Sequence, residues 1–482
     1  MAGGQKPMRT PFFSTVLSLL VLCGGSIQVL AQEADPRDDD IFGEEQREDD
    51  MFGGGEETLQ NASPIKEPEE TLEIGGSLYM QFAASIPSSD DLNDYSVNAP
   101  TNVDLYLDSR PNDRLRGFVR GRLLWDPSRG GGGTASLFGT ESGERTQVLL
   151  DEIWMRFDAA RTVFFTVGQA HVRWGTTRIW NPVDVLQPSR RDPLAFYDLR
   201  VGVPQIKMHL PIESLGWNFY LMGLMDSVDT VRKAGGAARA EFVFSTVEAG
   251  LTGALRYGVD PKTGLDFSMG IGDLDWTGEC GVSFPSSTDP QMQVSTGLEY
   301  SVSVFDEDIL LLGTEFFYNP GGYDSLEDAV YETLGISRND VAAASSLMES
   351  GVELDEETLA ASNEVFEASA SALSTLQPFY IGKYYGGFVV SLPQPGNWND
   401  VSFSVLTLSN LSDRSALSRF DMSINALTYL QVQTYISGYW GLPGELKPGP
   451  DSLGEFGSLL STVAPLPPSQ LLQVGFNLRM DL

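Results

Sequence analysis

The sequence predicts an all-β protein: a transmembrane antiparallel β-barrel of about 18 strands, or about 16 if one weak pair drops out, with a small helical loop insertion. Three observations predict it. From about Glu70 to Leu482 apolar and polar residues alternate with period two, the mark of strands with one greasy and one wet face. The connections between these segments are alternately short and long, as a membrane barrel requires and a soluble sandwich does not. After the N-terminal segment no stretch approaches the ~20 apolar residues of a spanning helix.

Residues 1–31 read as a signal peptide. Lys6 and Arg9 precede the apolar run FFSTVLSLLVLCGGSIQVLA, which closes on Val29-Leu30-Ala31, the small-residue spacing of a signal-peptidase site. Gly24, Gly25 and Gln28 interrupt the run and argue against a membrane anchor. Cys23 follows Leu22, where lipid attachment wants a small residue. Loss of Lys6 and Arg9 takes the formal charge from −35 by two more to −37, and leaves Cys280 as the single cysteine. An intrachain disulfide and two-cysteine metal or redox motifs are thereby excluded. With His171 and His209 as the only histidines, so is a His-rich metal site, and no cofactor is expected. So acidic a chain is also no partner for nucleic acid, whose phosphates need a basic surface.

Residues 32–69 read as a disordered acidic periplasmic leader, because a segment with fifteen acids between 33 and 70 and only Arg37, Arg47 and Lys66 against them cannot bury enough surface to offset the entropy of ordering. Within it DDIFG (Asp39 to Gly43) recurs as DDMFG (Asp49 to Gly53). The repeat reads either as a docking peptide for a periplasmic partner or as duplicated low-complexity sequence.

The barrel spans 70–482, its strands starting near 70, 101, 113, 146, 162, 200, 216, 236, 247, 263, 275, 292, 308, 378, 397, 418, 429 and 470. The second sets Val103, Leu105 and Leu107 against Asp104, Tyr106 and Asp108. The third sets Leu115, Val119, Leu123 and Trp125 against Arg114, Arg116, Arg120 and Arg122. Val294, Leu298, Tyr300, Val302 and Val304 carry the strand from 292. In VSFSVLTLS, Val401, Phe403 and Val405 oppose Ser402 and Ser404 until the alternation slips at Leu406, where a bulge is expected. The last strand alternates Leu472, Val474, Phe476, Leu478, Met480 and Leu482 with Gln473, Gly475, Asn477, Arg479 and Asp481. It reads as the strand that closes the barrel, since lipid offers no partner to an open edge.

Gln473, Gly475, Leu478 and Met480 resemble, in their spacing, the C-terminal insertion signal of bacterial outer-membrane proteins, with Leu482 where that signal ends in Phe. The resemblance implies the barrel-assembly machinery as a partner, outer-membrane lipid as the surroundings and the cell outer membrane as the location. A second resemblance lies in VGQAHVRWGTTRIWNPVDVLQPSRRDPLAFYDLRVGVPQIKMHL. Gly168, Gln169, Trp174, Gly175, Asn181, Pro182 and Asp184, followed by Pro188, Asp192, Asp198 and Arg200, are similar to the G-x-Q, W-G and N-P-x-D pattern of a group of porin-like outer-membrane proteins. It covers about a tenth of the chain and implies a barrel with an inward-folded loop.

On the residues themselves, Pro182, Pro188 and Pro193 restrict the 174–199 loop, and Trp180 and Phe196 offer burial. Its charges, Arg178, Asp184, Arg190, Arg191, Asp192 and Asp198, would form the constriction of a pore. The alternative is a rim cap held by its own ion pairs. Strand parity assigns Arg114, Arg116, Arg120, Arg122, Gln169, His171, Arg173, Lys207 and His209 to the lumen, with Gln205 beside Lys207, and Glu152 facing the arginines. These arginines form a basic stripe for anionic solutes, or they pair with wall carboxylates.

The insertion at 323–377 holds twelve acids and one base, Arg338. DSLEDAVYETLG and SRNDVAAASSLMESG read as short helices with Asp, Ser or Asn starts and Gly stops, and LDEETLAASNEVFEASASALSTLQP as a longer one with a Leu359, Phe366 and Leu373 stripe. It serves as a lid or plug, or as an exposed decoration. No nucleophile motif accompanies either histidine, so no enzyme is expected. The expectation is a porin-like channel for passive uptake of small solutes. Against it stands a non-conducting barrel acting in adhesion, assembly or partner binding, and more distantly a lipase or protease barrel.

Overall fold

A computed structural model describes residues 71–482 except 90, 92–93, 129–144, 188, 227, 287–288, 305–307, 340, 343–345, 347–375 and 464–467. The signal peptide, the acidic leader and the predicted helix with Leu359, Phe366 and Leu373 lie outside the described residues. In chain order the first strands are β1 (Leu72–Pro87), β2 (Ser96–Asn98), β3 (Thr101–Asn112), β4 (Leu115–Trp125), β5 (Thr146–Ala159), β6 (Val163–Ala170) and β7 (Val203–Ile212). Then come β8 (Trp217–Leu224), β9 (Gly235–Phe244), β10 (Val247–Arg256), β11 (Val259–Ile271), β12 (Leu274–Ser283) and β13 (Gln291–Val304). The last are β14 (Asp308–Tyr318), β15 (Tyr384–Pro393), β16 (Val401–Asn410), β17 (Ser415–Leu427), β18 (Leu430–Gly441) and β19 (Gln470–Asp481).

β1 pairs antiparallel with both β2 and β3, every strand from β3 onward pairs antiparallel with the next, and β19 pairs back to β1 from Ser77↔Asp481 to Pro87↔Gln470, so the sheet is a closed cylinder. β2 and β3 keep one register against β1, Ala83↔Asn98 and Met80↔Thr101. They are a single stave interrupted at Pro100, which has no N–H to donate, and the barrel therefore has 18 strands. Closure satisfies every edge, the condition for crossing lipid with strands. The β1 and β19 termini lie at the end with the short turns. The opposite end carries the long loops, with two exceptions: β10–β11 turns at Tyr257-Gly258 and β16–β17 at 411–414.

The outer face is a belt of exposed apolar side chains, among them Leu105, Leu107, Val148, Leu221, Phe388, Phe420, Ile436 and Phe476. Trp125, Tyr384 and Trp440 ring it at the long-loop end and Trp276 and Tyr300 at the other, the aromatic girdles of a bilayer-spanning barrel. The inner face is polar and buried: Asp104, Asp108, Arg122, Lys207, Arg239, Asp266, Glu279, Glu315 and Asp421 all lie there.

β16 and β5 each differ from the expected alternation. β16 runs through Leu406 without a register shift against either neighbour. Leu406 and Leu408 are apolar on the inner face because a loop packs on them, so the slip has a packing cause and there is no bulge. The bulge is in β5 instead: Arg120 pairs with Glu152 and Gly121 with Leu150, leaving Asp151 as the extra residue. Both Asp151 and Glu152 are consequently buried on the inner side.

At the long-loop end, helix α1 (Leu326–Leu334) starts where the Ser325 side chain accepts the Asp328 N–H and stops at Gly335 in the left-handed region. Its buried residues Leu326, Ala329, Val330 and Tyr331 meet Ile381 together with Leu453 and Phe456. Those last two come from the β18–β19 loop, in which a short 3-10 turn leads into helix α2 (Gly454–Val463) where the sequence pattern predicts only a long loop.

Candidate functional site: a loop folded into the barrel

The β6–β7 connection, residues 171–202, turns inward and lies across the inner wall. Trp174, Val183, Val185 and Leu186 bury against Met222, Leu224, Ala237 and Ala254 of β8, β9 and β10. Further round, Trp180 is fully buried between Phe317 of β14 and Tyr385 of β15, with ring centroids at 5.9 and 5.5 Å, and its Nε1 donates to the Phe379 carbonyl at 2.9 Å.

Two wall carboxylates hold the loop by its backbone. Glu279 of β12 accepts the N–H groups of Thr176 at 2.6 Å, Thr177 at 2.7 Å and Val183 at 3.1 Å. Glu315 of β14 accepts those of Trp180 at 2.7 Å and of Arg178 and Ile179 at 3.1 Å, and also the Ser295 hydroxyl at 3.0 Å. These six bonds tie the loop backbone to the wall at two points on separate strands. Sequence reasoning missed both glutamates. A lone Glu on an inner face looks like any wall acid, and the only signal is the small residues beside it.

Small residues let the loop approach. A Cβ at Gly281 would lie 2.5 Å from the Pro182 carbonyl oxygen, and one at Gly387 2.5 Å from Ile179 Cδ1. Gly175 has φ +108°, and a Cβ there would meet Asn181 Oδ1 and Glu279. The next residues form a turn with Pro182 second: the Asp184 N–H faces the Asn181 carbonyl at 3.3 Å and its side-chain oxygen at 2.9 Å.

The loop returns past β17, where Arg419 Nη1 donates to the Leu194 carbonyl at 2.6 Å, and past β1, where Phe196 and Tyr197 stack on Tyr79. Arg200 bonds Asp198 at 2.7 Å and Asp184 at 3.0 Å. Arg178 reaches Glu299 of β13 at 3.0 Å. Arg190 spans the loop interior, its Nη1 on the Asn181 carbonyl at 2.8 Å and its guanidinium 5.1 Å from the Tyr380 ring. Arg191 lines the same interior, and Pro188 lies outside the described residues. Asp192 caps a local turn by accepting the Leu194 N–H at 2.8 Å.

Burial raises the Asp184 carboxyl above the usual range despite nearby arginines. Burial also works upward on Asp198, but the hydrogen bonds and charge of Arg200 outweigh it and hold that carboxyl low.

The wall arginines are paired. Arg116 bonds Asp108 at 2.8 Å, Arg122 bonds Asp104 at 3.0 Å and Asp151 at 2.8 Å, and Arg120 reaches Glu152 at 3.4 Å. Arg114 lies in the β3–β4 turn on Asp158, away from the lumen network. His171, just past β6, puts Nε2 2.9 Å from Asp151 Oδ1. Burial lowers its pKa, and the Asp151 hydrogen bond and charge more than reverse that. Asp151, Glu152 and His171 bring their ligand atoms within 4.8 Å of one another. Arg122 and Arg120 already supply the counter-charge there, so the cluster needs no cation.

Lys207 and His209 share the inner face of β7 with Gln205, His209 stacking on Tyr220 at 4.5 Å. Arg173 donates to the Thr177 carbonyl at 3.1 Å. Gln169 departs from the expected parity, because it pairs with outward-facing Ile153. Its amide donates to the Leu150 and Asp151 carbonyls, both at 2.8 Å, and so braces the β5 bulge.

An 18-strand closed barrel with an apolar belt and an inward loop is the fold of outer-membrane porin channels, and the chain is an outer-membrane β-barrel of that fold. It is similar to solved OccAB4 of Acinetobacter baumannii (TM-score 0.50, 8% identity, covering 87% of this chain and 100% of that one). Alike in degree are OccK11 (OpdR) of Pseudomonas aeruginosa (TM-score 0.50, 10% identity, 86% and 96% covered) and a BenF-like porin of Pseudomonas fluorescens Pf-5 (TM-score 0.50, 9% identity, 86% and 99%). No protein-family model matches the chain, and no curated protein does.

Proposed function

We propose that the protein is a channel for the passive movement of small solutes across the outer membrane, with the 174–199 loop as its constriction. The observation that carries this reading is the loop's attachment to the far wall: Glu279 and Glu315 together take six of its backbone N–H groups, which holds a charged segment across the lumen. A rim cap would have no need of anchors deep on β12 and β14. Solutes pass a wall on which guanidiniums and carboxylates alternate, and such a paired lining orients polar molecules by its local field. The barrel-assembly machinery is the partner for insertion, and the paired Asp151, Glu152 and His171 belong to the wall and perform no catalysis.

Conductance of purified protein in planar bilayers tests the reading. Discrete current steps are expected, and the double variant E279Q/E315Q, which weakens both anchors, should give larger and noisier steps as the loop loosens. Absence of steps from folded protein, in the wild type and the loosened variant alike, overturns the channel reading and leaves a sealed barrel that acts through its loops.

A further inference from the structure

The long-loop end of the barrel sets a buried carboxylate beside a second one with no cation between them. Glu445, in the β18–β19 loop, is 5% exposed, and its backbone N–H donates at 2.7 Å to Asp413 Oδ2 in the β16–β17 turn. The Asn410 side-chain amide bridges the two, 2.7 Å from Glu445 Oε2 and 3.1 Å from Asp413 Oδ2. Neither carboxylate has an ion-pair partner among the described residues. Lys447, two residues on, directs its ammonium to the Gly441 carbonyl, and Arg414 is exposed. The groups that face Glu445 are Asp413, the Tyr385 hydroxyl of β15 and the Ile381 N–H of the β14–β15 connection. Carboxylates that share one amide in a buried site repel when both ionise, so one of them keeps a proton. Glu445 is the deeper: burial pushes its carboxyl up to about 7 against the Tyr385 hydrogen bond, with the Asp413 charge adding to the rise.

The same carboxyl is joined to the inward loop. Tyr385 donates its hydroxyl to Glu445 at 2.5 Å and lays its ring 5.5 Å from that of Trp180. Ile381, whose N–H meets Glu445 at 3.5 Å, lies two residues from the Phe379 carbonyl that accepts the Trp180 Nε1. Leu446, next in the chain, buries in the cluster that holds Ile179, Trp180 and Tyr385. A shift of Glu445 away from Tyr385 therefore loosens the seat of Trp180. We propose that Glu445 and Asp413 form a pH-sensitive latch on the 174–199 loop: it holds while one proton remains on the pair, and when both ionise they part and Trp180 loses Tyr385 as its support. This is a regulation of the constriction and rests on reading that loop as one. The sign follows from the proton, so the loop is held below about pH 7 and released above it.

Trypsin cleavage at Arg178, Arg190 or Arg191 of full-length protein in detergent reports release of the loop, each rate being divided by that of an unstructured peptide at the same pH. The wild type is expected to resist at pH 6 and to be cut about tenfold faster or more at pH 8.5, since one pH unit of proton linkage changes an opening equilibrium tenfold. E445Q, which keeps the shape of the neutral carboxyl at every pH, should resist throughout. Y385F, which removes the tie between Glu445 and the seat of Trp180, should flatten the profile. Folding of each variant is checked by its heat-shifted gel mobility, and if E445Q does not fold, Y385F and the wild-type profile decide. Wild-type cleavage that does not rise with pH, or an E445Q profile that rises alongside it, overturns the latch. Planar-bilayer currents separate this result from the channel reading: pH-dependent cleavage without current steps sinks the channel and keeps the latch, and current steps with pH-independent cleavage do the reverse.

Discussion

Arg122 sits between Asp104 and Asp151 with its side chain sealed from water, and Asp151 occupies the inner face only because β5 bulges there. Removing one member of such a buried network strands the others, which costs about 3–5 kcal/mol. R122A should lower the unfolding free energy of the barrel by that order, read as a lower denaturant midpoint. R114A, which removes an exposed turn residue, should leave the midpoint where it was. Glu445, in the β18–β19 loop, makes a different prediction. It is buried, accepts the Tyr385 hydroxyl at 2.5 Å and the Asn410 amide at 2.7 Å, and burial pushes its carboxyl up to about 7. A carboxyl raised on folding favours the folded state while protonated. Its stabilising contribution is complete below the unfolded value near 4.3 and is lost as pH rises through about 7. Thermal melts of the wild type should therefore fall between pH 5 and about 8 in a component that E445Q abolishes; a wild type and variant with parallel pH profiles would refute it.

At the scale of elements, the strands were legible in the sequence and their exceptions were not. A membrane barrel imposes period two with almost no relief, so most strands start within a few residues of their alternating segments; Tyr384 sits furthest from its expected 378, and Val259 and Val401 each lie four residues from 263 and 397. Where the pattern failed, a second layer was responsible. Leu406 and Leu408 break alternation because the inward loop gives that wall an apolar neighbour, and Asp151 could not be placed because a bulge leaves no compositional trace. The prolines and tryptophans of the 174–199 loop announced an ordered segment. Its anchors lie more than ninety residues away on other strands, and no local pattern reports a contact at that separation. Gly281 tests this layer. G281V places a branched side chain against the Pro182 backbone and should expel the loop without disturbing the wall: unchanged β-rich circular dichroism, with protease cleavage within 174–199 that the wild type resists.

For the whole molecule, one cylinder carries two kinds of packing. Its shell is held by hydrogen bonds that lipid cannot replace, and its contents by buried rings and by carboxylates that bind backbone N–H groups. At the long-loop end a third unit sits outside both: α1 and the β18–β19 loop bury each other through Leu326, Val330, Leu453 and Phe456. Neither half of that knot can be shortened by itself, because trimming one strips the other of its cover and leaves a sticky scar on the long-loop end. Natural variants of this scaffold should thus gain or lose the two segments together, as a matched pair, however freely their remaining surface turns drift.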